Sequence, residues 1–362
     1  MRPARPGGQW SASRFSARDR RREASGLATG LTLVEPSFAA FSRPVRLLAA
    51  GGTIAMGGPR AVPELDAQAL VDAVPQLTAV PDFAAETVLD SPGPHLELAQ
   101  TLELARHASS VAAEGAGVVV TTGTDTLEEV AVLCALLHNA AAPIVLTGAS
   151  RPATNPGADG PANLLDAVAV AGSEAALDLG AVVVFAGEIH AAMMVRKVDS
   201  TGPATFGSPA AGPLGRVVEG RVWLHARPLR PPRLAVAALE HRVEIVYPGV
   251  GDHGLLLRQA ADSADGVVLV AFGAGHLSPR LLAALHAAVA RVPVVVTCRP
   301  DRPAMFLSTY GFEGSESDVR ASGAVCAPFL SAQAARIALL CCLGARLSGE
   351  ETARVLGTWD VA

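Results

Sequence analysis

The sequence has few aromatic side chains and almost no lysine. Phenylalanine, tryptophan and tyrosine together make up 4% of its 362 residues, and half of the chain is hydrophobic. Alanine, valine and leucine dominate, and this composition suits helices packed on parallel strands better than a β-sandwich. Lys197 is the only lysine, which sets it apart because lysine can release a proton in a protein whereas arginine cannot.

Cysteine is scarce as well. The five cysteines, at positions 134, 298, 326, 341 and 342, are odd in number and lack the spacing of a metal site. We therefore expect reduced thiols in a cytoplasmic protein, with neither a disulfide framework nor a zinc site. The adjacent pair Cys341 and Cys342 lies in an apolar stretch, and we interpret it as packing.

Three further features argue against whole classes of protein. No run of about 18 apolar residues is present, so no membrane-spanning helix is expected. No G-x-G-x-x-G or P-loop follows the first strand of either predicted domain, which disfavours nucleotide binding. The net charge is +5 over residues 1–44 and −10 over the rest, so nucleic acid is not expected as a partner.

The first 43 residues differ in composition from the rest. Residues 1–23 are rich in arginine, serine, glycine and proline, with too little apolar surface to offset ordering, and we predict a disordered basic tail over residues 1–43. The apolar stretch 24–42 also fits the core of a secretory signal, although Glu35 and Pro36 interrupt it. A solvated tail, an over-extended start and a signal peptide remain open.

From residue 45 onward, short β-branched runs alternate with helical stretches. Strands are predicted near residues 45–50, 117–122, 143–148, 181–185, 243–249, 266–273 and 292–298, and helices near 98–113, from Asn163, and near 331–347 and 349–357. This alternation predicts a two-domain α/β protein with mainly parallel sheets. We expect a large N-terminal domain over residues 44–224, a Pro/Arg-rich linker over 225–240, and a smaller C-terminal Rossmann- or flavodoxin-like domain over 241–362.

The stretch TTGTDTLEE, residues 121–129, joins a buried strand to a helix. Asp125 or Thr126 is a candidate helix cap, with Glu128 or Glu129 three residues on. Such a turn aims hydroxyls, a carboxylate and a helix N-terminus into the crevice at the carboxyl end of a sheet. The alternative is a well-capped helix without a further role.

Two other loops place hydroxyls at predicted strand ends. Gly51 and Gly52 follow the first strand and lead into Thr53, and Ser91 lies in a Pro/Gly loop after another strand. Glycines at such a position allow a ligand to approach the backbone, although a tight turn alone would also explain the pair.

Four motifs in order carry a resemblance to a known family. They are GGTIA at 51–55, TGTDTLEE at 122–129, GASRPATNPGADGPANLLDAV at 148–168, and Lys197 nine residues before Phe206. Over residues 45–360 the chain resembles the homotetrameric bacterial L-asparaginase and glutaminase family. The resemblance implies active sites between the subunits of an intimate dimer, and hydrolysis of a side-chain amide of asparagine, or of glutamine, to release ammonia.

The resemblance also implies roles for individual residues. Thr53 matches the favoured site of a covalent acyl intermediate, and Thr124, Asp125 and Lys197 match a second triad. In that triad Thr124 positions the substrate or attacks it, Lys197 tunes the Thr124 hydroxyl or relays its proton, and Asp125 holds the α-ammonium of the substrate. Ser91 matches a residue that grips the α-carboxylate.

The remaining chemistry concerns the oxyanion. Backbone N–H groups beside Thr124, at Gly123, and near Ala149 are candidates to stabilise it, a contribution of about 3 to 4 kcal/mol per donor in other hydrolases. A nucleophile, a proton relay and an oxyanion hole complete amide hydrolysis, so no cofactor or metal is expected.

The chain departs from the family pattern at the lid tyrosine, whose position aligns with Arg60. A guanidinium cannot accept a proton in its place. Of the two tyrosines, Tyr247 is predicted inside a buried strand, whereas Tyr310 lies in the loop 308–318 that also carries Glu316 and Glu313. We hypothesise that Tyr310 supplies the missing phenol, with Glu316, or Glu313, behind it; simple loop packing is the alternative.

Two departures bear on substrate binding. Pro92 stands where the family usually has a polar side chain, and His276 stands where an asparagine from the neighbouring subunit usually helps to hold the substrate amine. As a cation, His276 would repel an ammonium, which predicts pH-sensitive binding. The sequence thus favours an L-asparaginase-type amidohydrolase, with a non-catalytic paralogue that binds an amino acid or related metabolite as the alternative.

Overall fold

The computed structural model describes residues 41–357, apart from Pro59 and Pro303. The tail predicted over residues 1–43, with its signal-peptide alternative, lies outside the described residues except for its last three. The residues after Gly357 lie outside them as well.

Sixteen strands and nine helices are present in the described part of the chain. The strands are β1 Val45–Ala49, β2 Met56–Gly57, β3 Val62–Pro63, β4 Phe83–Thr87, β5 Gly117–Thr121, β6 Ile144–Thr147, β7 Ala181–Phe185, β8 Glu188–Ala191, β9 Arg196–Lys197, β10 Phe206–Gly207, β11 Gly215–Val218, β12 Arg221–Leu224, β13 Val243–Val246, β14 Gly266–Ala271, β15 Val294–Cys298 and β16 Val325–Cys326. The helices are α1 Ala67–Asp72, α2 Leu98–Ala113, α3 Leu127–Leu137, α4 Gly160–Gly172, α5 Leu255–Ser263, α6 Pro279–Val289, α7 Glu316–Ala321, α8 Ala332–Gly344 and α9 Gly349–Leu356.

The larger sheet has eight strands in the order β12-β11-β8-β7-β6-β5-β1-β4. Strands β4, β1, β5, β6 and β7 are parallel, and β8, β11 and β12 extend the sheet in antiparallel fashion. Every residue of β5, β6 and β7 is buried, as expected for apolar parallel strands covered by helices on both faces.

The smaller sheet has four strands in the order β13-β14-β15-β16, all parallel. Its two central strands, β14 and β15, are also buried along their whole length. The fold class predicted from the sequence, two α/β domains with mainly parallel sheets, is confirmed. Residues 226–242, between the two sheets, form neither helix nor strand.

Helix α3 joins the two sheets through one hydrophobic core. Its residue Leu133 and residue Leu339 of α8 are fully buried and belong to the same cluster, which reaches strands of both sheets. Burying a leucine side chain contributes about 2 kcal/mol to the stability of the fold. The contact between α3 and α8 therefore holds α3, the helix before β6, against the second sheet. A partly buried ion pair, Arg336 with Glu129 at 3.3 Å, lies at the same contact.

Two local predictions were wrong. Helix α4 begins at Gly160, not at Asn163, because Pro161 fits the first turn of a helix, where its missing N–H costs nothing. Tyr247 is not inside a buried strand: β13 ends at Val246, and the tyrosine side chain is 51% exposed beside Pro248. Proline disfavours continuation of a strand, so Pro248 ends β13 although the residues around Tyr247 are apolar.

Four cysteines, Cys134, Cys298, Cys341 and Cys342, are buried and form no disulfide. Burial raises the pKa of the Cys134 thiol to about 12, which makes that thiol unreactive. The helix predicted around Cys341 and Cys342 is α8, and both side chains are fully buried. Within the described residues, no helix combines the length and apolar character that crossing a bilayer requires.

Candidate active site

The loops after β1, β5 and β6 meet at one edge of the larger sheet. These strands are neighbours and run parallel, so their carboxyl ends lie side by side. The three loops carry Thr53, Thr124 and Ala149. Ligands of open α/β sheets bind at this edge, so the topology brings three of the sequence-predicted site residues to one place.

Glycines allow the backbones of these loops to touch. A Cβ atom at Gly52 would lie 2.2 Å from the Gly123 nitrogen, and one at Gly51 would lie 2.5 Å from the backbone of Ser91. Both glycines have positive φ, and the Gly52 N–H donates to the Ser91 carbonyl at 3.1 Å. A Cβ at Gly123 would in turn overlap Gly93. No side chain fits at these contacts, which explains the glycines that the sequence places there.

Lys197 reaches this edge from strand β9, which pairs with β10. Its Nζ donates to Thr124 Oγ1 at 2.9 Å and to Asp125 Oδ1 at 2.7 Å. The lysine side chain is 22% exposed, and Thr124 is buried. Lys197 is 72 residues away from Asp125 in sequence, so this three-residue cluster is a product of the fold.

The cluster has the parts of a proton relay. An alcohol at hydrogen-bonding distance from an amine can exchange a proton with it, provided that the amine can become neutral. The Asp125 side chain is 60% exposed, and its Oδ2 forms no hydrogen bond with the described residues, so it remains available to a cationic group. The cluster can therefore hold a positive charge and move a proton next to it.

Thr53 lies in the short 3-10 turn Thr53–Ala55, directly after the Gly52 contact with Gly123. Its side chain is half-buried, and its hydroxyl forms no hydrogen bond with the described residues. Thr53 is thus adjacent to the segment that carries Thr124, with a hydroxyl free for a ligand.

The loop after β6 packs closely on the same segment. A Cβ at Gly148 would lie 2.7 Å from the Thr122 carbonyl and 3.5 Å from the Thr124 methyl group. Ala149 is buried at the next position. Its backbone is therefore near Thr124, where the sequence predicts an oxyanion donor.

Two residues that hold this loop were not predicted from the sequence, although both lie in the 148–168 motif. The Asp159 carboxylate accepts the N–H groups of Ser150 and Arg151 at 2.9–3.1 Å. Asn163 is buried, donates to the Gly148 carbonyl at 3.0 Å and accepts the Ala186 N–H at 3.0 Å. Asn163 also donates to Asp159 at 3.1 Å, and a buried amide bonded on both its nitrogen and its oxygen holds the loop in place.

The capping that the sequence predicts for the helix after Thr124 is wrong in detail. Thr126 occupies the N-cap position, but neither it nor Asp125 caps the helix with its side chain. The Thr126 hydroxyl instead donates to the Gly93 carbonyl at 3.4 Å, and Asp125 is engaged with Lys197. Tertiary contacts override the local capping preference here.

The side chains of the two glutamates in the motif also contact residues that are distant in sequence. Glu128 accepts the Lys197 N–H at 2.6 Å, and Glu129 pairs with Arg336. Burial raises the pKa of both carboxyls, and these partners oppose the rise in each case. Ionising either carboxyl therefore costs desolvation free energy, which a solvent-exposed helix cap would not cost.

His276, Tyr310 and Glu316 form a second group, in the C-terminal part of the chain. The His276 Nε2 lies 3.2 Å from Glu316 Oε2, and the imidazole meets the Tyr310 ring edge-on with 4.9 Å between centroids. Glu316 is completely buried and accepts the N–H groups of Thr309 and Tyr310. Burial acts to raise the pKa of Glu316, but these N–H donors and His276 lower it overall.

The Tyr310 hydroxyl is not engaged within this chain. The side chain is 44% exposed, and its hydroxyl forms no hydrogen bond with the described residues. Phe306 and Phe312, both exposed by more than 40%, pack around the same ring. No hydrogen bond or ion pair joins this second group to Thr53 or to the Lys197 cluster among residues 41–357. Glu313 is exposed in the same loop.

Of the three departures from the family pattern, His276 belongs to this second group. Arg60 is exposed between β2 and β3, and Pro92 follows Ser91, whose hydroxyl donates to the Pro92 carbonyl at 3.3 Å. Within the described residues, no cluster of three or more His, Cys, Asp or Glu side chains could hold a metal ion.

Comparison with known proteins gives a consistent result. The family model described as asparaginase, N-terminal, matches residues 44–230, and the glutaminase/asparaginase C-terminal domain model matches residues 242–356. A probable L-asparaginase of Deinococcus radiodurans is 37% identical over 318 residues, covering 85% of this chain and 95% of that protein.

Two further relatives agree. L-asparaginase 2 of Escherichia coli is 32% identical over 317 residues, which are 84% of this chain and 90% of the relative. The crystal structure of a probable cytoplasmic L-asparaginase from Campylobacter jejuni superposes with a TM-score of 0.77 at 28% identity, covering 87% of this chain and 99% of that one. The resemblance inferred from the sequence motifs is confirmed, and the chain belongs to the asparaginase family.

Proposed function

We propose that the protein hydrolyses the side-chain amide of L-asparagine to give L-aspartate and ammonia. The observation that carries the proposal is the position of the Lys197 ammonium, which contacts both Thr124 and Asp125 at the carboxyl end of the sheet. The asparaginase family models, which match residues 44–230 and 242–356, support the same reaction.

The first chemical step is an acyl transfer. The Thr53 hydroxyl attacks the amide carbon, and a C–O bond forms while its proton is taken up by a base. Collapse of the tetrahedral intermediate breaks the C–N bond, and the nitrogen leaves as ammonia after it receives a proton. Water then attacks the ester and returns the threonine. Thr124 and Lys197 form the proton relay beside this centre.

Substrate binding falls to groups around the two threonines. Asp125, whose Oδ2 forms no hydrogen bond with the described residues, is assigned to the α-ammonium, and Ser91 is assigned to the α-carboxylate. The backbone N–H groups of Gly123 and Ala149 are assigned to the developing oxyanion. His276 is assigned to the substrate amine. No cofactor enters this scheme.

We infer further that the site is completed by a second copy of the chain. Tyr310 and its aromatic neighbours are exposed, and no described contact joins them to Thr53. An exposed aromatic surface with an unbonded hydroxyl is suited to a neighbouring subunit, where Tyr310, with Glu316 behind it, would supply the phenol that Arg60 cannot. This arrangement requires a homodimer, or a homotetramer built from such dimers.

We propose a cytoplasmic location on the ground of the thiols. Cys134, Cys298, Cys341 and Cys342 are buried and form no disulfide. Free cysteines are typical of reducing compartments.

The direct test is ammonia release from L-asparagine, L-glutamine and their D-forms, assayed side by side with the purified protein. The proposal predicts turnover of L-asparagine and slower turnover, or none, of the D-forms. Binding of L-asparagine by calorimetry without ammonia release from any of the four would instead identify a non-catalytic paralogue, the function that Arg60 at the tyrosine position favours.

A further inference from the structure

The backbone of Lys197 needs a hydrogen-bond acceptor that its strand does not provide. Strand β9 pairs with β10, with Lys197 opposite Phe206. The Val198 N–H donates to the Thr205 carbonyl at 2.8 Å, and donor directions alternate along an antiparallel strand. The Lys197 N–H therefore points away from β10, where this two-stranded sheet has no further strand.

The acceptor comes from the first turn of helix α3. Glu128 Oε2 lies 2.6 Å from the Lys197 nitrogen, although the two residues are 69 positions apart. A carboxylate that accepts from a backbone N–H forms a short, charge-assisted hydrogen bond. Burial of Glu128 raises the pKa of its carboxyl, so the group stays at this position against a desolvation cost.

Lys197 is consequently held at both ends by one short segment. Its backbone nitrogen is bonded to Glu128, and its side-chain nitrogen is bonded to Thr124 and Asp125, which directly precede the same helix. Removing the backbone contact would leave this two-residue strand held by its pairing with β10 and by the lysine side chain.

We infer that Glu128 is a positioning residue, whose carboxylate fixes the backbone of Lys197 so that the ammonium lies between Thr124 and Asp125. The inference rests on the proposed function, because it concerns how the lysine of that site is aimed. A displacement of about 1 Å in such a group lowers turnover by up to a hundredfold.

The adjacent residue offers a matched control. Glu129 lies on the same turn of α3, is partly buried and has a pKa raised by burial, yet its carboxylate faces Arg336 of α8 and not Lys197. A substitution at Glu129 changes the charge of the helix start in the same way as one at Glu128, without touching the Lys197 N–H.

The kinetic experiment compares Glu128→Ala, Glu128→Gln and Glu129→Gln with the wild type on L-asparagine. Glu128→Ala should lower kcat by about tenfold or more while KM changes by less than about threefold. Glu128→Gln, whose amide oxygen still accepts the N–H, should recover kcat to within about threefold of wild type. Glu129→Gln should remain within about twofold. A Glu128→Ala enzyme at wild-type kcat, or a Glu128→Gln enzyme as slow as Glu128→Ala, overturns the inference.

Amide hydrogen exchange at Lys197 tests the contact without relying on activity. The exchange should be slow in the wild type, in Glu128→Gln and in Glu129→Gln, and at least about tenfold faster in Glu128→Ala. Fast exchange in the wild type overturns the inference. This result does not depend on whether Glu128→Ala folds. A wild type that releases no ammonia but protects this amide would reject the proposed function alone.

Discussion

The two groups of polar residues in this protein differ in how complete they are within one chain. The Lys197 cluster is closed: its ammonium has two partners below 3 Å, and Thr124 is buried. The group around Tyr310 is open: the phenol is exposed and packs against two exposed phenylalanines, Phe306 and Phe312.

The difference follows from topology. Thr53, Thr124 and Ala149 follow adjacent parallel strands of one sheet. Pairing of these strands therefore also assembles the first group, which consists of Thr53 and the Lys197 cluster. Tyr310 lies in a loop after β15, in the other sheet, where the backbone N–H groups of Thr309 and Tyr310 donate to Glu316. The first group is therefore expected to work as a unit in one chain, and the second is expected to work across a subunit boundary.

The largest expected effect is that of Lys197→Met, which removes the amine and keeps the length of the side chain. We expect kcat on L-asparagine to fall by about a thousandfold, in the range that general acid–base groups contribute. Arg196→Met is the control, since Arg196 is the neighbour in β9 but pairs with Asp301. Lys197→Met turnover within tenfold of wild type would show that the relay is not needed.

A smaller effect is expected for Tyr310→Phe, which keeps the ring packing and removes the hydroxyl. Turnover should fall by about a hundredfold if the phenol acts as a general base. Phe312→Leu, which disturbs the same packing but removes no hydroxyl, should cost far less. Unchanged turnover of Tyr310→Phe would reduce Tyr310 to a packing residue.

Mixing the two inactive variants sharpens the contrast between the closed and the open group. If Tyr310 serves the partner's Lys197 cluster, dissociating and reassociating equal amounts of Lys197→Met and Tyr310→Phe should restore about a quarter of wild-type activity, because half of the dimers then hold one intact site. No recovery would place both residues in one chain or remove Tyr310 from the site.

A third effect, on stability, lies outside both groups and should leave activity unchanged. Burial raises the pKa of Asp166 to about 6, and no hydrogen bond or ion pair to it is present among the described residues. Because the folded pKa exceeds the unfolded value, this carboxyl favours the folded state below about pH 4 and loses that contribution as the pH rises through 6.

Asp166→Asn should therefore stabilise the protein by about 2 kcal/mol at pH 7.5 and by almost nothing at pH 4. Thermal or denaturant unfolding at the two pH values measures this difference. Equal effects at both values would show that the aspartate is not desolvated in solution.

The smallest expected effect is on substrate affinity. His276→Ala should raise KM for L-asparagine by about threefold at a fixed pH, because it removes the imidazole that we assign to the substrate amine. His276→Asn, whose amide oxygen can still accept a hydrogen bond, should recover most of that loss. An unchanged KM in His276→Ala would remove His276 from the binding site.

The sequence predicted the parts of the molecule whose signals are local. The β-branched runs that form β5, β7, β14 and β15 predict buried parallel strands. The single lysine is evident from the composition. The motifs around Thr53 and Thr124 identified the family for the same reason.

The contacts that connect distant segments were not predictable from local patterns. Glu128 and Glu129 read as helix-capping residues, whereas their partners lie 69 and 207 residues away. The roles of Asp159 and Asn163 in holding Gly148–Arg151 likewise need the path of the loop. Tyr247 shows the reverse case, an apolar run that ends at an exposed residue before a proline.

The central claim is that Thr53 is acylated beside the Lys197 cluster. Acid quenching of the enzyme during turnover of L-asparagine, followed by peptide mass mapping, tests it most directly. The account predicts an aspartyl group on the peptide that contains Thr53, absent from Thr53→Val. An acyl group on another residue, or full turnover by Thr53→Val, would contradict it.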